Sequence, residues 1–166
     1  LLSTTIFGNF IKKLKLVFAE QKVHAVIHLA ARKKVGESVE RPDWYEEQNV
    51  GGMKNLLQAM RESGVNRLVF SSSAATYGVP DVAQVDEDFD CQPINPYGQT
   101  KLDGERLARA AAKEWGLREV SLRYFNVAGT GWPELMDTQA ANLVPIVFQS
   151  LAQGVSPRVF GNDFPT

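Results

Sequence analysis

The run Asn95-Pro96-Tyr97-Gly98-Gln99-Thr100-Lys101 sets a phenol and an ammonium four residues apart at the start of a predicted helix, so both fall on one face. Such a pair can move a proton. A phenol is a poor base at neutral pH, with an ordinary pKa near ~10, and a cation held within a few ångströms favours its ionised form. Asn95 is suited to cap the helix and Pro96 to occupy its first turn, which would fix the pair on a rigid element. A second source of chemistry is Ser71-Ser72-Ser73 at the end of an apolar run, where a hydroxyl, Ser73 above all, could hydrogen-bond a substrate oxygen during proton exchange. Serine is also common at strand ends for local reasons, so these residues gain meaning only from the elements that bring them together.

Those elements follow from hydrophobic periodicity. Residues 10–20 place Phe10, Ile11, Leu14, Val17 and Phe18 at helical spacing, and residues 23–30 read as a near-continuous apolar strand. A second helix is predicted over 42–63, carrying Trp44, Tyr45, Leu56 and Met60 and stopping at Gly64, followed by a strand over 67–71. Residues 78–94, with Pro80, Pro93 and several acids, read as a loop. The helix over 96–115 has Leu102, Leu107, Ala108, Ala111 and Ala112 for its packing face, ends at Gly116, and leads to a strand over 119–124. Helix and buried strand thus alternate three times, which predicts an α/β protein with a doubly wound parallel sheet, right-handed crossovers and helices on both faces. Ligands of such sheets bind outside the carboxyl ends of the strands, where Ala30 and residues 71–73 and 124–126 fall. Beyond Gly129 the texture changes to a loop through Gly131-Trp132-Pro133, a helix over 141–153 and a short segment over 158–161, so the chain divides into residues 1–129 and 130–166.

A composition of 44% hydrophobic and 22% charged residues suits a globular domain with a real core. The net charge of −1 and the absence of a basic stripe with interleaved aromatics argue against nucleic acid and against an anionic membrane as partners. The single Cys91 cannot close a disulfide within the chain, and no targeting or spanning segment is visible, so the expected compartment is a reducing cytoplasm. His24 and His28 share one strand and no Cys/His cluster accompanies them, so no metal site is expected. Trp44, Tyr45, Met60 and Trp115 read as packing residues.

Five blocks then occur in order: His28-Leu29-Ala30-Ala31, Val35-Gly36-Glu37-Ser38, Ser71-Ser72-Ser73-Ala74-Ala75-Thr76-Tyr77-Gly78, Pro96-Tyr97-Gly98-Gln99-Thr100-Lys101 and Leu122-Arg123-Tyr124-Phe125-Asn126. Together they closely resemble the UDP-glucose 4-epimerases among the extended short-chain dehydrogenases/reductases, a likeness that Asn142-Leu143-Val144-Pro145 and Phe160-Gly161-Asn162-Asp163 extend. The resemblance implies a Rossmann-like NAD-binding domain, partial here, over 1–129 and the start of a UDP-sugar lobe over 130–166. It implies Tyr97 as the catalytic base, Lys101 as the partner that favours its phenolate and holds the nicotinamide ribose, and Ser73 as the hydroxyl bridging to the sugar. Leu29, Ala30, Lys33, Gln48, Tyr124 and Phe125 would lie along the NAD, with Lys33 near its pyrophosphate and Gln48 where the family commonly has asparagine. Asn126, Asn142, Leu143 and Phe160 would face the UDP-hexose. The implied reaction is a transient NAD-mediated oxidation at C4 that interconverts UDP-glucose and UDP-galactose, in a homodimer.

The sequence departs from the family at more than Gln48: Asn9 stands where the family usually has an aspartate reaching the adenine. No Gly-x-x-Gly-x-x-Gly follows a first strand, so these 166 residues by themselves are expected to bind NAD poorly and to lack activity. The resemblance also implies further sequence after Thr166, including an arginine directed to the UDP diphosphate. A related sugar-nucleotide dehydratase would need an acid and a base just after the serine strand, where Ala74 and Ala75 stand and neither can move a proton. Beside these stand a reductase or decarboxylase of the same superfamily and, from a different class, a non-catalytic remnant that binds a partner chain.

Overall fold

The computed structural model describes residues 2–135, 143–158 and 161, with side chains from residue 10 onward. Three strands, β1 (Val26–His28), β2 (Arg67–Ser71) and β3 (Arg118–Leu122), form a parallel sheet in the order β1-β2-β3, as the alternation of helix and strand predicts. Val26 pairs with Leu68 and His28 with Phe70, while Leu68 pairs with Glu119 and Ser71 with Leu122. The helices are α1 (Leu2–Glu20), α2 (Val35–Glu40), α3 (Pro42–Tyr45), α4 (Gly52–Glu62), α5 (Pro96–Trp115) and α6 (Leu143–Ala152).

Alternation along the strands decides which side is covered. Val26, Leu68 and Phe70 point into one core with Phe18 of α1, Met53, Leu56, Leu57 and Met60 of α4, and Ala108 and Ala111 of α5. Each large apolar side chain fully buried there stabilises the fold by about 1.5–3 kcal/mol. Their strand neighbours Ile27 and Val120, on the other face, remain 68% and 55% exposed. The predicted cover on both faces is therefore not what the described residues form. The strand order runs in one direction only, so successive right-handed crossovers deliver their helices to the same side; a second side is covered only where the order reverses.

Three smaller differences have local causes. β1 pairs over three residues instead of eight, against a β2 that itself spans only five. Helix α2 has no counterpart in the hydrophobic periodicity, since Val35-Gly36-Glu37-Ser38-Val39-Glu40 is too short to show a period. The predicted helix over 42–63 is helical almost throughout, but α3 and α4 are joined by a wide π turn, Glu46–Gly51. That turn contains one residue more than an α-helical turn, which shifts the phase of everything after it.

Helix α5 has the predicted bounds and caps: the Asn95 side chain accepts from the Gly98 N–H at 2.8 Å, Pro96 occupies the first turn, and Gly116 closes the helix in the left-handed conformation. Gly104, in its middle, packs directly on the sheet, where an added Cβ would come within 2.6 Å of the Phe70 ring. Phe70 is buried and cannot retreat, so Gly104→Ala is expected to cost about 1–3 kcal/mol despite the better helix propensity of alanine. The urea midpoint measures this, and adding Phe70→Leu should recover part of the loss; an unchanged midpoint in the single variant would refute the close packing.

The chain separates into two compact units, residues 1–125 and 126–166. Within the second, a short turn over Pro133–Leu135 precedes α6, whose end is closed by Val155 N–H donating to Ser150 O. No described helix is long and apolar enough to cross a membrane.

Candidate active site

Because the strands are parallel, the segments following β1, β2 and β3 emerge at one edge of the sheet: Leu29 and Ala30, then Ser72 and Ser73, then Tyr124 and Phe125. The N-terminal half of α5 lies against this edge. Lys101, only 4% exposed, donates from Nζ to the Ser71 carbonyl at 2.7 Å, with its nitrogen 5.8 Å from the centre of the Tyr97 ring and 5.2 Å from that of Phe70. Burial pushes the Lys101 ammonium down to about 8. His28, stacked on Phe70 at 5.8 Å, is likewise lowered, first by burial and then by the Lys101 charge.

Close backbone contact sets this geometry. A Cβ on Gly98 would lie 2.5 Å from the Ala75 carbonyl oxygen, so only glycine lets the first turn of α5 approach the tight turn Ala74–Thr76 this nearly. Ser73 begins that turn, half-buried, with its Oγ accepting from Ala75 N–H at 3.2 Å. Ala74 N–H donates to the Tyr124 carbonyl at 2.8 Å, which ties the exit of β2 to that of β3.

Residues that sequence reasoning did not single out hold Tyr97 in place. Its N–H donates to Oγ of the fully buried Ser38 at 3.2 Å, and its carbonyl accepts from Thr100 Oγ1 at 2.8 Å. Asn49, carried inward by the π turn, accepts from Arg32 N–H at 2.8 Å and donates to Arg32 O and to Thr100 Oγ1, both at 3.0 Å. One amide thus joins the loop after β1 to the first turn of α5. Tyr45 is fully buried and its phenol is committed to the turn that precedes Ser38, accepting from Lys34 N–H at 3.0 Å and lying 2.8 Å from Lys34 O and 2.9 Å from Glu37 Oε2. Burial foremost, and the Glu37 carboxylate with it, raise the Tyr45 phenol, so Tyr45 is a structural phenol and not a base.

One turn beyond Lys101, the fully buried Glu105 accepts from Ser72 Oγ at 2.5 Å, from Arg123 Nε at 3.0 Å and Nη2 at 2.8 Å, and from Arg109 Nη2 at 2.8 Å. Burial is the largest single influence and would raise its carboxyl, but the hydrogen bonds from Arg123 and Ser72 and the two guanidinium charges together carry it below the ordinary value. Arg123 is raised in turn, chiefly by its bonds to Glu105.

Leu29, Ala30, Lys33 and Gln48 are exposed; Gln48 adjoins Asn49 and Lys33 adjoins Arg32, whose backbone Asn49 binds. The guanidiniums of Arg32 and Arg41 lie 4.3 and 4.0 Å from the centre of the Trp44 ring. Tyr124 and Phe125 are exposed, with Phe125 stacked on Tyr77 at 6.3 Å. Asn126 and Leu143 belong to the second compact unit, and Asn142 and Phe160 lie outside the described residues.

The model of the NAD dependent epimerase/dehydratase family matches residues 10–164. A UDP-glucose 4-epimerase of Corynebacterium glutamicum is 47% identical over 156 residues, which are 90% of this chain and 46% of that protein. A crystal structure of UDP-glucose-4-epimerase from Stenotrophomonas maltophila, with bound NAD and formylated UDP-arabinopyranose, is 40% identical with a TM-score of 0.82 over 93% of this chain and 48% of that one. A UDP-N-acetylglucosamine 4-epimerase from Methanobrevibacter ruminantium is 30% identical with a TM-score of 0.79, covering 90% of this chain and 47% of its own. The chain spans about half the length of the curated relatives it matches.

Proposed function

Since the chain belongs to the NAD dependent epimerase/dehydratase family, we propose that the protein interconverts UDP-glucose and UDP-galactose, with Tyr97 as the base. The observation that carries this is the placement of Lys101: its buried ammonium joins the helix bearing Tyr97 to the strand end bearing Ser73. Tyr97 takes the proton of the C4 hydroxyl and later returns it. Ser73 Oγ hydrogen-bonds the sugar oxygen, and Lys101 keeps a cation beside the phenolate. NAD, when bound, supplies the hydride acceptor for a transient oxidation at C4.

The residues present fit the nicotinamide half of that cofactor. Lys101 Nζ uses one donor on Ser71 O and has further donors for ribose hydroxyls. Leu29, Ala30, Tyr124 and Phe125 follow the strand ends, and Lys33, exposed in the loop after β1, suits the pyrophosphate, with Gln48 next to the Asn49 that binds this loop. Ala74 and Ala75, which form the tight turn beside Tyr97, support epimerisation over elimination of water. The proposal extends to a cytoplasmic homodimer, with Cys91 as a lone thiol fitting a reducing compartment.

The test is cofactor content and product analysis on the protein expressed from its full coding sequence. NAD retained through purification, and UDP-glucose formed from UDP-galactose, is the expected result, with the N-acetylated pair assayed alongside. A dehydrated sugar product, or turnover without bound NAD, would overturn it. The 166 residues alone should retain little NAD and show no turnover.

A further inference from the structure

We propose that Glu105 is a positioning residue of the proton-transfer site, holding the Ser72-Ser73 strand end in register with the face of α5 that carries Tyr97 and Lys101. What is positioned rests on the epimerase reading above; the holding itself rests on geometry. Tyr97, Lys101 and Glu105 are spaced by four along α5 and form one stripe. Lys101 takes the Ser71 carbonyl and, one turn on, Glu105 takes the Ser72 hydroxyl, so two successive residues of the strand end are pinned by two successive helical turns. Ser73 is the next residue.

The same carboxylate fixes the other side of the turn. It receives Arg123 through two nitrogens, and Arg123 adjoins Tyr124, whose carbonyl holds Ala74 N–H. Arg123 also donates to the Glu87 carbonyl at 3.1 Å, which fastens the loop that follows the turn. A core needing only stability would be served as well by apolar side chains of this volume. An acceptor at the third place of the stripe, saturated by both neighbouring strand ends, instead fixes where they lie.

Removing the carboxylate altogether would strand the mostly buried Arg123 guanidinium, so the informative variants are Ser72→Ala, which breaks one bond and spares the Arg123 pair, and Glu105→Gln, which keeps shape and loses charge. Hydrogen exchange would be read for peptides covering 71–77 and 53–62, with kcat and KM for UDP-galactose normalised to bound NAD. Both variants are expected to speed exchange over 71–77 by about tenfold and leave 53–62 unchanged. They should lower kcat about thirtyfold and hold KM within about twofold. Unchanged exchange over 71–77, equal acceleration over 53–62, or full kcat with a loosened turn would each overturn the proposal. Absence of epimerisation in the unaltered protein would sink the functional reading alone, and the exchange data would still decide whether Glu105 holds the turn.

Discussion

Tyr97→Phe is expected to lower kcat by about a thousandfold or more while leaving affinity for the UDP-sugar and the NAD content nearly unchanged. The substitution removes one oxygen from a half-buried ring and disturbs none of the bonds that hold the residue, since Ser38 and Thr100 both engage its backbone. The loss should therefore fall on the proton transfer and not on binding, and appear in kcat with KM within about twofold. Calorimetric titration with UDP-glucose provides the control. Turnover within about tenfold of the unaltered protein would remove Tyr97 from the role of base and direct attention to a solvent-mediated route.

Lys101→Met is expected to abolish turnover and yet stabilise the fold. The difference between about 8 for the folded chain and 10.5 for an ordinary lysine corresponds to about 3 kcal/mol spent on keeping the ammonium in its dry site. Below pH 8 both folded and unfolded chains carry the charge and the full cost stands. Between 8 and 10.5 the unfolded chain binds more protons, so stability climbs with pH; above 10.5 both are neutral and the cost has gone. Methionine has similar length without the charge, but leaves the Ser71 carbonyl without this donor, a loss of about 1 kcal/mol. The net expectation at pH 7 is about 2 kcal/mol of added stability, roughly 5 °C in Tm, and disappearance of the rise between about pH 8 and 10. Urea titrations at pH 7 and 10 measure both. A destabilised variant at pH 7 would mean that the bond to Ser71 outweighs burial of the charge.

How legible these features are depends on how far apart in sequence their causes lie. Helix α5 is readable to the residue because Asn95, Pro96 and Gly116 act locally, each on its own terminus. The Tyr97-Lys101 pair is readable for the same reason, being a spacing within one helix. Ser38, Asn49 and Glu105 are not, since their partners Tyr97, Thr100 and Ser72 lie 59, 51 and 33 residues away. Glu105 does leave a trace: it stands four residues after Lys101 and eight after Tyr97, hence on the inward stripe where a solvated carboxylate has no place. Asn49 leaves none, because the π turn that aims it breaks the periodicity by which its direction would be judged. The open sheet face escapes the sequence because near-continuous apolar strands record that both sides seek cover, not that the same segment supplies it.

The Trp44 indole lies against two guanidiniums, those of Arg32 and Arg41, and its emission is expected to report on them. Emission from tryptophan responds to charge a few ångströms from the ring, and Arg32 adjoins Lys33 in the loop after β1. A phosphate group drawn to that loop would change the charge near the ring, so Trp44 emission is expected to report occupancy of the cationic loop. With Trp115 and Trp132 replaced by phenylalanine, ligand arrival could be followed in a stopped-flow cuvette by unlabelled protein.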